Sequence, residues 1–402
     1  MATETESSRY VTHDDIIFKG FKRPNGRIGI RNHLAIIPAS VCATPLVRKI
    51  AACSAVPVVS VLHQAGCCQI GEDYDRTKRV LIGLALNPNV AGVLIVALGC
   101  EGCPFREIVK AVTAQDTPVE LVVIQDAGGT EKALQLCLDN IDRISRTIQK
   151  RTVRVNASAS DLVIGLECGG SDTTSGLIAN PVMGCLTDRV VAAGGTAILS
   201  ETTELIGAEH LLADKIRNEA VKRRLLATVA RVEEKARASG IDIRGTQPTP
   251  GNITGGLSTI EEKSLGCIHK AGGNALQEVI DYGETPSRKG LVFMDTPGQD
   301  VESMTAMAAG GAQVILFSTG LGSPVGFPLV PVIKITGNPR TYDRMPADID
   351  VNAGAVMTQG KSITDLGEET LVFLNAVCSG ELTKSEIQDY SEVSIYKEGI
   401  TL

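Results

Sequence analysis

The chain has 402 residues, more than one hydrophobic core usually serves, so two domains are expected. A net charge of −7 excludes a nucleic-acid partner, which needs a basic footprint, and no apolar run reaches the ~20 residues that cross a bilayer. Residues 1–16 are polar and read as a tail with no secretion signal, which implies a cytoplasmic protein. The eleven cysteines are not spaced as a disulfide framework and are expected to be reduced thiols.

Phe18 to Arg27 reads as a turn-rich entry. Strands are then expected at His33–Pro38, Val58–Leu62, Val93–Leu98 and Leu121–Ile124. Helices are expected over Thr44–Cys53, Asp73–Leu86, Phe105–Val112 and Thr130–Lys150. Short apolar runs alternating with helical periods predict an α/β protein with mostly parallel sheets, built as two Rossmann-like domains over residues 17–150 and 155–402. The stretch Arg151–Ser160 reads as their boundary. Further strands are expected at Asp161–Leu166, Thr196–Leu199, Leu291–Met294, Val314–Phe317 and Val332–Ile335. Glu209–Ser239, rich in Lys, Arg and Glu, reads as a solvated helical insertion, and Gln247–Gly256 as a long loop. Cys42, Cys53, Cys137 and Cys378 lie in apolar segments and are expected in the core.

In parallel sheets, ligands bind beyond the carboxyl ends of the strands. The expected strands here end in His63-Gln-Ala-Gly-Cys67-Cys68, Gly99-Cys100-Glu101-Gly-Cys103, Gln125-Asp126-Ala-Gly-Gly and Glu167-Cys168-Gly-Gly-Ser171-Asp172. Later ones end in Asp295-Thr-Pro-Gly298-Gln-Asp300 and Thr319-Gly-Leu-Gly-Ser323. Glycines let backbone N–H groups face an anion. Acidic side chains among them help only if a cation intervenes or a carboxyl shuttles a proton. The single Cys100-to-Cys103 pair is too few for structural zinc, and no glycine string matches a nucleotide fingerprint. Of the histidines, His63 stands after a strand beside a Gly-Cys pair; His13, His210 and His269 read as surface or helix residues.

Taken with Gly26-Arg27-Ile-Gly29-Ile-Arg31-Asn32, Ala179-Asn180-Pro181, Pro250-Gly251-Asn252, Glu262-Lys263-Ser264 and the Tyr396–Leu402 ending, these loops resemble the altronate/galactarate dehydratase family. The resemblance runs from about Phe18 to Leu402. It implies a lyase that eliminates water from a small 2,3-dihydroxy acid, giving a 2-keto-3-deoxy acid, with a divalent metal: Fe2+ first, Mn2+ or Zn2+ as alternatives. The ligands on offer are Cys67, Cys100, Cys168 and Asp172. Arg27 and Arg31 would clamp the carboxylate, with Asn32, Gly169, Gly170, Ser171, Asn180 and Asn252 completing the substrate site. The base is left open among His63, Glu101, Glu167 and Lys263.

The family often carries an N-terminal domain of the SAF type, which is expected here as a separate small subunit, within an oligomer. The family's His-Thr-x-Gly-Cys pattern reads His63-Gln-Ala-Gly-Cys67 in this chain, and Cys103 has no counterpart in the sugar-acid enzymes. The same chemistry with sulfite as leaving group would make the chain similar to the large subunit of (2R)-sulfolactate sulfo-lyase. Two further alternatives are a non-catalytic substrate-binding subunit and an iron–sulfur dehydratase with Cys67, Cys100 and Cys168 as cluster ligands.

Overall fold

The computed structural model describes residues 16–402; the remainder of the expected tail, with His13, lies outside the described residues. The chain is mixed α/β, with two parallel sheets and one small antiparallel sheet.

Strands β1 (Ile17–Lys22), β2 (Ile28–Gly29), β3 (His33–Pro38), β4 (Val59–Ser60), β5 (Val90–Ala97) and β6 (Val119–Val123) occupy the first part of the chain. Helices α1 (Thr44–Cys53), α2 (Gly71–Ala85), α3 (Phe105–Thr113) and α4 (Thr130–Arg151) alternate with them. Strands β3 to β6 form a four-stranded parallel sheet in the order β4-β3-β5-β6. All eight residues of β5 are buried, as a central parallel strand covered on both faces requires. Helix α4 buries Ala133, Cys137, Ile141, Ile144 and Ile148, a stripe at steps of three and four residues that faces the sheet.

After β7 (Arg154–Ser158) come β8 (Val163–Cys168), β9 (Thr196–Leu199), β10 (Leu276–Ile280), β11 (Gly290–Met294), β12 (Val314–Ser318), β13 (Val332–Thr336) and β14 (Val351–Asn352). The last seven form a parallel sheet in the order β10-β11-β9-β8-β12-β13-β14. Its helices include α5 (Asn180–Ala192), α6 (Glu209–Ala213), α7 (Glu219–Ala238), α8 (Pro250–Thr254), α9 (Ile260–Cys267) and α10 (Asp300–Ala309).

Several expectations need correction. The boundary segment Arg151–Ser160 contains β7, which pairs antiparallel with β1, so the turn-rich entry and the connection form one small sheet. Gln247–Gly256 contains α8, opened by a reciprocal Thr249–Asn252 capping box. Cys42 and Cys53 are exposed, because one sits on a single-turn helix and the other at the last position of α1; Cys137 and Cys378 are buried.

The two parts of the chain share an apolar core. Ile37, Val93 and Ile95 of the smaller sheet pack in one cluster with Met294, Phe317, Met304 and Met307. Helices α2 and α10 meet at Gly83, where a Cβ would stand 2.3 Å from the Ala309 carbonyl oxygen, so no larger residue fits. Polar residues seal the same seam: the Asn89 amide donates to the carbonyls of Gln313 and Leu329, both at 2.9 Å. The segment Ser394–Gly399 returns to the first part of the chain. Asp73 accepts from the backbone N–H groups of Glu398 (3.0 Å) and Gly399 (2.6 Å), and Gln64 donates to the Ile395 carbonyl at 2.8 Å.

Candidate active site

The densest group of reactive side chains lies at the carboxyl ends of β8 and β9. Strand β8 ends in Glu167-Cys168, both buried by the neighbouring strands β9 and β12. Strand β9 runs into Ser200-Glu201-Thr-Thr-Glu204. Glu201 has φ 66°, a left-handed conformation that costs a non-glycine residue and concentrates at functional sites. Lys270, supplied by the turn after α9, lies between the two acids, with Nζ 2.9 Å from Glu201 and 2.8 Å from Glu204. All three are buried, and Lys263 on α9 reaches Glu204 at 3.6 Å.

One buried ammonium cannot neutralise two buried carboxylates, so the pair divides. Burial, then Glu167 and Glu204, hold Glu201 well above the ordinary carboxylate range. Burial would also raise Glu204, but Lys270 and then Lys263 pull it below that range, so Glu204 carries the charge. Burial would lower Lys270, but Glu201 and Glu204 keep it protonated. Burial and then Asp300 push Glu167 up to about 8. The Glu167 carboxyl accepts from Ser303 Oγ at 2.6 Å, leaving its other oxygen buried without a partner.

The thiols form a second buried pair. Hydrogen bonding with Cys267 brings Cys168 down to about 7, against the effect of burial, and its Sγ lies 2.9 Å from Ser171 Oγ. A cavity of about 220 Å³ opens beside this cluster, lined by Ser171, Asp172, Asn180, Lys263, Cys267 and His269 among others. Asn180 presents its amide to the Gly266 carbonyl (3.0 Å) and accepts from Ser318 Oγ (2.5 Å), which fixes the cavity wall.

Two sets of donors suit a metal ion. Glu167, Glu201 and Asp300 form one, and Cys168, Glu204 and Cys267 the other; within each, the donor atoms lie within 4.8 Å of one another. Each set includes a buried carboxylate oxygen without a hydrogen bond, on Glu167 and on Glu204. The all-oxygen set suits a hard or borderline divalent ion, and the thiol-rich set a softer one. Lys270 competes with a cation for Glu201 and Glu204, which leaves the Glu167 oxygen as the freest donor.

The structure gathers only part of the site expected from sequence. Glu167, Cys168, Ser171, Asn180 and Lys263 belong to the cluster or its walls, and Gly169 abuts Asp300, whereas the Gly170 carbonyl accepts from the N–H groups of Gly320 and Leu321 in the neighbouring loop. Asp172 is adjacent but spent on structure, accepting from Thr174 Oγ1, Ser175 N and Asn338 Nδ2. Asn252 caps α8 and donates to the Ser171 carbonyl at 2.8 Å, so it shapes the loop. No hydrogen bond or ion pair among the described residues joins His63, Glu101, Cys67 or Cys100 to the cluster. His63 is buried, with Nε2 2.7 Å from the Pro38 carbonyl, and burial holds its imidazole down to about 4. Glu101 accepts from the N–H groups of Leu98 and Gly99, closing its own turn. Asp126 is exposed and 3.8 Å from Arg106.

The arginines are likewise committed elsewhere. Arg27 donates to the Leu86 and Gly311 carbonyls, both at 3.4 Å. Asn32 accepts from Arg23 at 2.7 Å. Arg31 makes a two-pronged pair with Glu386 (2.7 and 2.9 Å) and donates to the Val377 and Glu381 carbonyls. The Arg31→Ala variant should therefore lose about 3 kcal/mol of stability, the cost of breaking a buried pair. Urea unfolding measures this; an unchanged midpoint together with a raised KM would return Arg31 to the substrate site.

Sequence reading missed Glu201, Glu204, Lys270 and Cys267. The first two follow an expected strand and could have been found by extending the strand-end argument to β9. Cys267 and Lys270 come from the end of α9 and the turn after it, distant in sequence, and nothing local marks them.

The comparisons with known proteins agree over both parts of the chain. The family model described as D-galactarate/altronate dehydratase, C-terminal, matches residues 159–401. The model for the second domain of D-galactarate dehydratase/altronate hydrolase matches residues 20–149. Altronate dehydratase of Bacillus subtilis (strain 168) is 34% identical over 97% of this chain and 80% of its own length. Altronate dehydratase of Escherichia coli (strain K12) is 34% identical over 95% of this chain and 78% of its own. The (2R)-sulfolactate sulfo-lyase subunit beta of Chromohalobacter salexigens is 36% identical over 93% of this chain and 96% of its own.

Proposed function

Because this chain belongs to the D-galactarate/altronate dehydratase family and is a lyase, we propose that it catalyses elimination across C2–C3 of a small sugar acid, with the β8–β9 cluster as its active site. The observation that carries this placement is Lys263 beside the cavity, backed by ionised Glu204 and adjoining the Cys168–Cys267 pair. Glu204 keeps Lys263 protonated against the effect of burial, so its ammonium holds the substrate carboxylate. A thiol near 7 matches the working pH of a general base. The Cys168–Cys267 pair takes the C2 proton; the C2–C3 double bond forms as the C3–oxygen bond breaks. The hydroxide leaves as water with one added proton, and the enol product becomes the 2-keto-3-deoxy acid. Ser171 and Asn180 orient the substrate against the cavity wall.

The family reading implies a divalent metal, and Glu167, Glu201 and Asp300 are the residues that would hold it. Such an ion would polarise the carboxylate and acidify the C2–H, which favours Fe2+ or Mn2+ among these oxygen donors. We also read residues 17–150 and 155–402 as two Rossmann-like units, a reading supported by their separate parallel sheets. Among the described residues no helix is long and apolar enough to cross a membrane, and we place the enzyme in the cytoplasm as part of an oligomer.

Sulfite elimination from (2R)-sulfolactate is the second reading, supported by 36% identity to that relative over 93% of this chain. Its printed name, subunit beta, supports a partner subunit here too, which we propose to be a small SAF-type chain. The test is an assay of the chain, co-expressed with that small subunit, against altronate, galactarate and (2R)-sulfolactate side by side. Activity on a sugar acid, abolished by chelation and restored by Fe2+, is expected. Turnover of sulfolactate alone would select the second reading, and full activity after exhaustive chelation would remove the metal.

A further inference from the structure

Beside the candidate active site, buried hydroxyls link the two acids Glu167 and Glu201. Thr296 follows β11, Ser303 lies on α10 and Ser200 follows β9, and all three side chains are buried. None of them lines the cavity, and the elimination chemistry uses none of them.

Each hydroxyl has one proton to give and two lone pairs with which to accept, so the direction of each bond follows from counting. The Glu201 N–H donates to Thr296 Oγ1 at 2.7 Å, which leaves the Thr296 proton for Ser303 Oγ at 3.3 Å. Ser303 spends its single proton on Glu167 Oε2 at 2.6 Å, a shorter contact than the 3.0 Å to Ser200 Oγ. Ser200 gives its own proton to the Leu166 carbonyl at 3.0 Å and stands 3.4 Å from Glu167, so it adds little there. The bonds thus run one way, from the Glu201 backbone through Thr296 and Ser303 to one oxygen of Glu167.

A carboxylate free to turn about its last bond offers either oxygen. Ser303 removes that freedom: with Oε2 engaged, Oε1 is the oxygen left buried without a hydrogen bond. Ser303 also stands three residues after Asp300, on the same face of α10. Gly169 makes room for the Asp300 carboxylate, since a Cβ there would lie 2.2 Å from Asp300 Oδ2. Thr296 holds the second acid through its backbone. Its side chain accepts from the Glu201 N–H and its carbonyl from the Thr202 N–H at 3.0 Å, which brackets Glu201 in its left-handed conformation.

Given the reading of Glu167, Glu201 and Asp300 as the metal's ligands, we propose that Ser303 is a positioning residue that fixes which oxygen Glu167 presents. Thr296 orients both the Ser303 hydroxyl and the Glu201 backbone, so one threonine sets two of the three donors. Groups that orient a metal's ligands without touching the ion commonly account for about 10–100-fold of its affinity.

The test uses the full-length protein, stripped with a chelator and titrated with Mn2+, with the electron paramagnetic resonance signal of free Mn2+ reporting binding without turnover. The unmodified protein is expected to bind, and Ser303→Ala to bind about 10–100-fold more weakly with an unaltered circular dichroism spectrum. Thr296→Val keeps the shape but not the hydroxyl and should weaken binding likewise, whereas Thr296→Ser, which keeps the hydroxyl, should retain most of the affinity. Should Ser303→Ala not fold, this second pair reads the same line of bonds. Ser200→Ala should cost less than Ser303→Ala. Unchanged affinity in Ser303→Ala would overturn the proposal, as would equal losses in Ser200→Ala and Ser303→Ala, or in Thr296→Ser and Thr296→Val. An unmodified protein that binds no Mn2+, or binds it as tightly after Glu167→Gln, would remove the metal reading itself and the positioning role with it.

Discussion

Lys270→Met should lower the unfolding free energy by about 3–5 kcal/mol, because it removes the partner of two buried carboxylates and leaves one of them ionised. Lys270 and both acids are at most 2% exposed, so water cannot replace the missing charge. The rescue should be asymmetric. Glu201 already keeps its proton in the folded protein, whereas Glu204 is held ionised by Lys270 and Lys263. Adding Glu204→Gln to Lys270→Met should therefore restore more stability than adding Glu201→Gln. Chemical denaturation of the three variants at neutral pH decides the matter. Equal rescue by both, or a loss below about 1 kcal/mol, would mean that the cluster is hydrated and the charge division wrong.

Lys263→Met should reduce kcat/KM by on the order of 10²–10³-fold, the usual cost of deleting one charge-stabilising donor. The fold should survive, since Lys263 is only one of two cations facing Glu204, at 3.6 Å against 2.8 Å for Lys270. Lys263→Arg, which keeps the charge but not the shape, should recover part of the loss. The reading fails if Lys263→Met keeps wild-type kinetics on the identified substrate. It fails equally if Lys263→Met unfolds as readily as Lys270→Met, for then the residue would serve structure alone.

Much of the scaffold was legible in the sequence because parallel strands buried on both faces are continuous apolar runs. His33–Pro38, Thr44–Cys53 and Thr196–Leu199 fall where the pattern puts them. Strand β1 escaped notice because its burial alternates and its partner β7 lies more than 130 residues away. Strand β10 was missed for a related reason: it is the edge of its sheet, with its central residues only partly covered.

The site was legible by loop and illegible by grouping. The strand-end rule found Glu167, Cys168 and Ser171, yet treated every such loop as part of one centre. Glu101 looked like a base and Asp172 like a metal ligand in sequence, but acidic side chains in Gly-rich turns commonly accept backbone N–H groups of their own loop, as both do here. Arg31 looked like an anion clamp for the same reason that it makes a good strut: its planar fork meets a carboxylate with two hydrogen bonds, whether that carboxylate is substrate or Glu386.

The return of Ser394–Gly399 to Gln64 and Asp73 bears on how the molecule is made. These contacts span more than 320 residues, so the first half leaves the ribosome long before the segment that clasps it exists. Until then the Asp73 carboxylate and the apolar face of α2 that later meets Gly83's partner on α10 wait uncovered. Synthesis of that late segment, rather than completion of the first sheet, is thus the step at which that half becomes fully sealed.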